Sequence, residues 1–464
     1  MASFHKVLVA NRGAVASRIF RALREMGIRS VAVYSDADRE LPYMAEADQS
    51  VHLGASPPRE SYLSIDKILA AAATSGADAI HPGYGFLAEN AEFAQRVIDA
   101  GLTFIGPSPR WLRDMGHKTN ARRLAQQWGL PTGAGTGVVD PNDPKLAEHA
   151  AAIGYPIMVK PAAGGGGIGM IRVESPAQLA DALRSARSAA ERGFGVSDVY
   201  LEKLIQKPRH VEIQLLGDAH GHVTHLFDRD CSIQRRNQKV IEEAPAPGIA
   251  AQKRLDVLRH AATVLAAAGY DNIGTLEMLM SSTGEFSFLE MNTRLQVEHG
   301  VTEEITGVDL VRGQIRSAAG ESLRSFLPNN IEIQGHAIEA RVCAEDPTRF
   351  FPSVGKLEVF RPPGPAGVRV ETGYAEGNTV TPHYDSLLAK VIVHGSDRAT
   401  AIAALQEALS SFEVRGVKTN IPAIQMVIAS AQFRSGDVHT GLMQELLDRA
   451  KAETKAAVSL WGQK

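Results

Sequence analysis

Cysteine is almost missing: Cys231 and Cys343 are the only two in 464 residues. That excludes a disulfide scaffold and makes a reducing cytoplasm the expected setting. No run of about 18 apolar residues occurs, so no membrane-spanning helix is expected. The first residues, Met-Ala-Ser-Phe-His-Lys, lack the apolar core of a secretory leader. Excess charge of one sign is absent too. A net charge of −3 argues against nucleic acid or an anionic membrane as partner. Repeats, low-complexity tracts and heptads are not found. What is present is ordinary globular composition, 44% hydrophobic and 22% charged. The length calls for several packed units rather than one core.

Residues 6–10 form a short apolar run ending at Asn11-Arg12-Gly13. A helical pattern follows with Val15, Ile19, Leu23 and Met26 on one face, and Gly27 stops it before a β-branched strand at 30–34. The alternation continues to about residue 115 and predicts a doubly wound α/β domain with a mostly parallel sheet. Residues 131–144, rich in Gly and Pro, read as a connection. Strands at 155–160 and 170–173 flank a glycine loop, a helix covers about 176–192, and a strand follows at 199–203. This predicts a small α+β lid at about 132–204 inside a domain spanning 116–330. Longer strands are expected at 211–216, 223–228, 274–280 and 286–292. A β-rich C-terminal domain is expected over 331–446, with a helix at 400–411 and a tail at 447–464 whose short charged stretch 451–464 reads as a frayed helix end.

The densest chemical signal is Glu290-Met291-Asn292-Thr293-Arg294-Leu295-Gln296-Val297-Glu298. In an extended strand the five polar residues share one face, and such a row can hold a metal and an oxyanion together. The competing reading is a half-exposed strand with a solvated face. Glu277 lies on the preceding strand, and the turn 281–284 predicts a hairpin that sets it beside Glu290. Two such carboxylates suit Mg²⁺ bridging to phosphate; separately they read as surface glutamates. Residues 160–169, Lys-Pro-Ala-Ala-Gly-Gly-Gly-Gly-Ile-Gly, join two strands without a G-x-x-x-x-G-K-[ST] signature. They read as a hairpin over phosphates or as a flexible linker, but not as a P-loop. His81 to Asn90 follows a strand end where α/β sheets bind ligands, and Tyr84 there serves equally as a core tyrosine in a rigid turn. Arg209-His210-Val211-Glu212 and residues 230–239 supply cations for phosphate or simply a basic surface. Cys231, with no base in view, reads as a packed thiol.

Taken together, these segments resemble the biotin carboxylase family of ATP-grasp enzymes over about residues 4–445. The resemblance rests on Ala10-Asn11-Arg12-Gly13, 81–90, 160–169, 209–212, 229–232, Glu242 to Gly248, 290–298, and Ala340-Arg341 with Ala344-Glu345-Asp346-Pro347. It implies that Lys118, Lys160, Glu202, Lys203 and Leu204 line an ATP pocket. Gly165 and Gly166 would cover the phosphates with His210, Gln234 and Lys239, and Asn237 would stand near the ribose. Glu277, Glu290 and Asn292 would hold Mg²⁺ (or Mn²⁺). Arg294, Gln296 and the Val297 backbone would hold bicarbonate, with Glu298 as the base. Arg341 would stabilise the biotin enolate beside Tyr84. The implied activity is carboxylation of biotin through carboxyphosphate, the first half-reaction of a biotin-dependent carboxylase.

Several positions depart from the acetyl-CoA carboxylase pattern. Ala14 stands for Glu, Ile168 for Arg or Lys, Asn237 for His and Gly300 for Pro. These resemble the carboxylase module of urea amidolyases, so the final acceptor reads as acetyl-CoA type or urea/amide type. No Ala-Met-Lys-Met biotinylation segment occurs. The expected partners are therefore a biotin carboxyl carrier protein and a carboxyltransferase on other chains, with a homodimer implied by the family. Another ATP-grasp ligase would share the Mg²⁺ carboxylates without needing Arg341. A non-catalytic paralogue would have lost a chemical residue, and none is lost.

Overall fold

Short apolar runs separated by amphipathic segments build the first sheet. The computed structural model describes residues 4–163, 167–364 and 367–461, the side chains of 454–461 excepted. Strands β1 (Lys6–Val9), β2 (Arg29–Ser35), β3 (Gln49–Gly54), β4 (Ala79–His81) and β5 (Thr103–Phe104) pair in parallel in the order β3-β2-β1-β4-β5. Helices α1 (Gly13–Glu25), α2 (Ile65–Ser75), α3 (Ala91–Asp99) and α4 (Pro109–Gly116) accompany them. This is the expected doubly wound unit. Strand β3, Gln-Ser-Val-His-Leu-Gly, escapes prediction because an exposed edge strand needs little apolar alternation.

The strand order reverses between β1 and β4, and ligands of such sheets bind at that point. The two strand ends are tied there. Asn11 Nδ2 donates to the carbonyl oxygens of Pro82 at 2.8 Å and Tyr84 at 2.7 Å. Gly83 has φ +66°, and a Cβ there would meet Asn11 Nδ2 at 2.9 Å and Val15 at 3.1 Å. Only glycine fits that turn.

After α5 (Lys118–Gln127) comes the lid. Strands β6 (Gly135–Val138), β7 (Ile157–Pro161), β8 (Ile171–Val173) and β9 (Val199–Lys203) form an antiparallel sheet in the order β6-β9-β7-β8. Helices α6 (Leu146–Ile153) and α7 (Leu179–Phe194) cover it, and Val159, Ala186 and Leu201 are among its core residues. The connection expected at 131–144 therefore contains a strand. Gly135-Thr-Gly-Val138 has no strand signature of its own and is extended by pairing with β9.

The remaining large sheet is antiparallel and eight-stranded. It uses β10 (Arg209–Gly217), β11 (Val223–Arg235), β12 (Gln238–Ala244), β13 (Ile273–Met280), β14 (Phe286–Asn292), β15 (His336–Cys343), β18 (Val368–Thr372) and β20 (Leu387–Gly395), in the order β14-β13-β10-β11-β12-β15-β20-β18. Two small pairings complete the strands: β16 (Gly355–Lys356) with β19 (Thr379–Val380), and β17 (Val359–Arg361) with β21 (Glu413–Arg415). Helices α8 (Ala251–Ala268), α9 (His299–Thr306), α10 (Leu310–Ala318), α11 (Arg398–Ser411), α12 (Ile421–Ala429), α13 (Ala431–Ser435) and α14 (Leu442–Trp461) fill out the chain. The helix end expected at 451–464 is the last part of α14, which begins at Leu442 and reaches Trp461.

The β12–β15 pairing, Glu242↔Glu339 among its partners, carries this sheet across residue 330, where a domain boundary was expected. One buried cluster contains Ile19, Leu226, Ile338, Val391 and Leu405, so the N-terminal, central and C-terminal regions share a core.

Candidate active site

The expected strand at 290–298 ends early. β14 stops at Asn292, residues 293–298 form a bend and a turn, and α9 begins at His299. Polar and apolar residues alternate here because a loop buries Leu295 completely while its polar neighbours face the site, not because one strand face carries them all. The side chains converge nonetheless. Arg294 donates to Gln296 Oε1 at 2.9 Å, Asn292 Oδ1 at 3.1 Å and Glu89 at 2.9 Å. Glu89 was not anticipated in this role, although it is the one acidic residue of the 81–90 motif.

The 281–284 turn forms as expected, and Glu277 and Glu290 are direct ladder partners on β13 and β14. The β11–β12 hairpin turns through Arg236 and Asn237 at positive φ, 49° and 63°, the conformation a two-residue hairpin requires. That turn sets Gln234 opposite Lys239.

Lys239 is the hub. Its Nζ lies 2.6 Å from Glu212, 2.8 Å from Glu277 and 2.6 Å from Glu298. Arg341 bridges Glu242 at 2.5 Å and Glu298 at 2.9 Å. His210 Nε2 is 3.0 Å from Glu277, and Gln234 Nε2 lies 3.0 Å from His210 Nδ1. Lys118 pairs with Glu290 at 3.1 Å. Lys160 and Arg122 both hold Glu202.

Burial alone would raise Glu298, but Lys239 and Arg341 outweigh it and hold that carboxyl well below its ordinary range. Glu277 is depressed in the same way by Lys239 and His210, again against burial. In return, Glu277 raises His210 despite the burial that lowers it. Cys231 is buried and pushed up by desolvation, as expected for a packed thiol.

These groups surround one cavity of about 950 Å³. Its wall includes Tyr84, Lys118, Lys160, Lys203, Leu204, His210, Gln234, Asn237 and Lys239, and also Glu277, Glu290, Asn292, Arg294, Gln296, Val297 and Arg341. Glu298 is fully buried among these groups. Glu202 is not on the wall; its side chain is spent on Lys160 and Arg122. Gly165 and Gly166 lie outside the described residues. Arg12 also lines the cavity, clamped on Asp38 at 2.7 Å with its guanidinium 4.3 Å from the Tyr384 ring. The Asn-Arg-Gly motif marked its position, but no local pattern pointed to partners 26 and 372 residues away.

Glu277, Glu290 and Asn292 offer hard oxygen donors, which suit Mg²⁺. Among the described residues, the tightest groups of potential ligand atoms are His210-Glu212-Glu277 and Glu212-Cys231-Glu298, each within 4.8 Å. In both, Glu212 is already committed to Arg229 and Lys239.

Arg229 is fully buried and bonds Glu212 at 2.6 Å, Gln214 at 2.7 Å and Thr302 at 2.9 Å. Arg229→Ala strips one cation from a buried carboxylate. It is expected to destabilise the fold by about 3 kcal/mol, measured as a lowered midpoint in urea unfolding.

A lid with its own sheet, closing a wall of carboxylates and cations on a larger antiparallel sheet, defines an ATP-grasp ligase. Residues 117–326 match the family model "Carbamoyl-phosphate synthase L chain, ATP binding domain". Residues 3–112 match "Biotin carboxylase, N-terminal domain" and residues 339–445 match "Biotin carboxylase C-terminal domain". Biotin carboxylase 2 of Bacillus subtilis is 47% identical over 96% of this chain and 100% of its own length. Methylcrotonoyl-CoA carboxylase subunit alpha of Arabidopsis thaliana is 47% identical over 95% of this chain and 60% of its own. The biotin carboxylase domain dimer of Hydrogenobacter thermophilus 2-oxoglutarate carboxylase, solved with MgADP, ADP and bicarbonate, superposes with a TM-score of 0.93 at 40% identity, covering 96% of this chain and 99% of that one. The chain belongs to the biotin carboxylase family of ATP-dependent ligases.

Proposed function

We propose that this chain uses ATP and bicarbonate to carboxylate biotin, and that the cavity holds all three substrates in one place. The observation that carries the reading is Glu298, an ionised carboxylate held between Lys239 on the nucleotide side and Arg341 on the C-terminal side. ATP lies under the lid against Lys118, Lys160, Lys203 and Leu204, with Gly165, Gly166, His210, Gln234 and Lys239 at its phosphates and Asn237 near the ribose. Glu202 contributes from behind Lys160. Glu277, Glu290 and Asn292 hold Mg²⁺, which supplies charge neutralisation at the phosphates. Bicarbonate sits on Arg294, Gln296 and the Val297 backbone, and Lys390 Nζ anchors that peptide at 2.6 Å from the Val297 oxygen.

Glu298 takes the bicarbonate proton, and the freed oxygen attacks the γ-phosphorus as ADP leaves. The carboxyphosphate breaks into CO₂ and phosphate. Phosphate accepts the N1 proton of biotin, Arg341 compensates the charge left on the ureido oxygen, and N1 attacks CO₂. Tyr84 lies beside the ring.

In this reading the biotin is borne by a carrier protein and passed to a carboxyltransferase on other chains. The chain works as a homodimer, as the Hydrogenobacter thermophilus structure supports. Relatives at comparable identity are named for 2-oxoglutarate, methylcrotonoyl-CoA and pyruvate, so the final acceptor belongs to the partner; acetyl-CoA and urea or another amide are the candidates to assay.

The test is ATP hydrolysis by the purified chain with Mg²⁺. Hydrolysis should require bicarbonate and rise on addition of free biotin or biotinylated carrier. Bicarbonate-independent hydrolysis, or indifference to both forms of biotin, would overturn the reading.

A further inference from the structure

Glu242 and Glu339 are direct ladder partners on β12 and β15, so their side chains leave the sheet on one face. Both are fully buried. Glu242 Oε1 accepts from Arg341 Nε at 2.5 Å, whereas its Oε2 has no hydrogen-bond partner among the described residues. Neither oxygen of Glu339 has one. Its only ion-pair partner among the described residues is Lys390, 3.7 Å away. That ammonium is already committed to Glu371 at 2.6 Å and to the Val297 carbonyl at 2.6 Å. Carboxylate oxygens only accept. Three buried acceptors thus lie on paired ladder positions without a donor, a costly arrangement that a single proton relieves at two of the three.

We propose that Glu339 is a positioning residue: a neutral carboxylic acid that donates its hydroxyl to the open oxygen of Glu242 and so holds that carboxylate on Arg341. The inference rests on Arg341 being the cation that faces biotin. The proton belongs on Glu339 because Glu242 has a guanidinium at 2.5 Å, while Glu339 has a shared ammonium at 3.7 Å.

The charged groups facing the pair are Arg341 on β15, Lys239 on β12, Lys390 on β20, Glu371 on β18 and Glu298 ahead of α9. His299 of α9 and Tyr84 of the loop after β4 are neutral, held at about 3 and about 12 mainly by burial. Burial also pushes Glu242 up to about 7 and Glu339 up to about 8. Because Glu339 is raised, it is neutral below about 8 and ionises above. Two adjacent buried anions then repel, and the hold on Arg341 weakens as pH rises. The effect resembles a carboxylic acid kept neutral by an apolar site so that it can donate.

The experiment compares E339L and E339Q in the full-length chain, assaying biotin-dependent turnover against pH with free biotin. Leucine has no donor and should lower turnover about tenfold, the order of one unmade buried hydrogen bond. Glutamine has a donor that cannot ionise, so it should restore turnover and abolish the decline near pH 8. Infrared difference spectra should show a protonated-carboxyl band that titrates near the same pH and is missing from E339Q. Equal behaviour of the two variants, or no such band, would overturn the proposal. Failure of the underlying role of Arg341 would show separately, as biotin-dependent turnover surviving in R341A, and would leave the infrared band in place.

Discussion

Glu298→Gln is expected to lower bicarbonate-dependent ATP hydrolysis by about 10²–10⁴, the usual contribution of a positioned general base. Gln keeps the volume and one acceptor. Lys239 keeps Glu212 and Glu277 at 2.6 and 2.8 Å, so the hub stays compensated and the fold should survive. Nucleotide affinity should change little, because Lys118, Lys160 and Lys203 are untouched. The pH dependence follows from the sign of the shift. Glu298 is depressed in the folded chain, so its charged form persists well below the ordinary carboxylate range, while its share of stability, full above that range, is lost progressively as pH falls from there through the folded value. The free enzyme should therefore show no acid limb near pH 4–5 from this group. A carboxylate pinned so low is a weak base, and anything that draws Arg341 or Lys239 away from it makes it stronger. Unchanged bicarbonate-dependent hydrolysis in E298Q would remove Glu298 from the mechanism.

Arg341→Ala should separate the two halves of the cavity. Biotin carboxylation is expected to fall by about 10²–10³, the cost of removing one preorganised donor from a developing oxyanion. ATP binding, measured by titration calorimetry, should stay near its wild-type value. An equal loss of ATP affinity would place Arg341 at the nucleotide instead. The variant also changes its neighbours: Glu298 loses one of two cations and Glu242 loses the one it contacts. Both carboxyls rise; Glu242, already raised by burial, rises further, and a group raised on folding contributes stability at low pH that is lost as pH increases. R341A should therefore lose thermal stability relative to the parent more at pH 8 than at pH 5, measured by melting temperature in matched buffers.

Much of this was legible along the chain because it is local. Apolar runs and helical periodicity mark the N-terminal α/β unit, and the 281–284 turn aligns Glu277 with Glu290. The motif segments 81–90, 209–212 and 229–239 all reach the cavity region. What failed was also local in origin. Gly135–Val138 is too glycine-rich to announce a strand, and the alternation at 290–298 imitated one across a loop. Glu202 illustrates a subtler gap, since periodicity cannot tell a wall residue from the partner beneath it.

The sequence by itself determined most of the elements, the cation and carboxylate types, and the glycine that the turn at Gly83 demands. Those follow from short-range sterics and from a side-chain period of two or 3.6. Only the tertiary structure decided which edges join: β12 with β15, across the boundary expected at residue 330, and β10 between β11 and β13. Those registers align Glu290, Glu277, Glu212 and Arg229 as successive ladder partners, and they pair Glu242 with Glu339. Strand pairing is long-range, and a slip of one residue turns every side chain to the other face. The charge network around Lys239 and Arg341 exists because of the register, and no window of the sequence contains it.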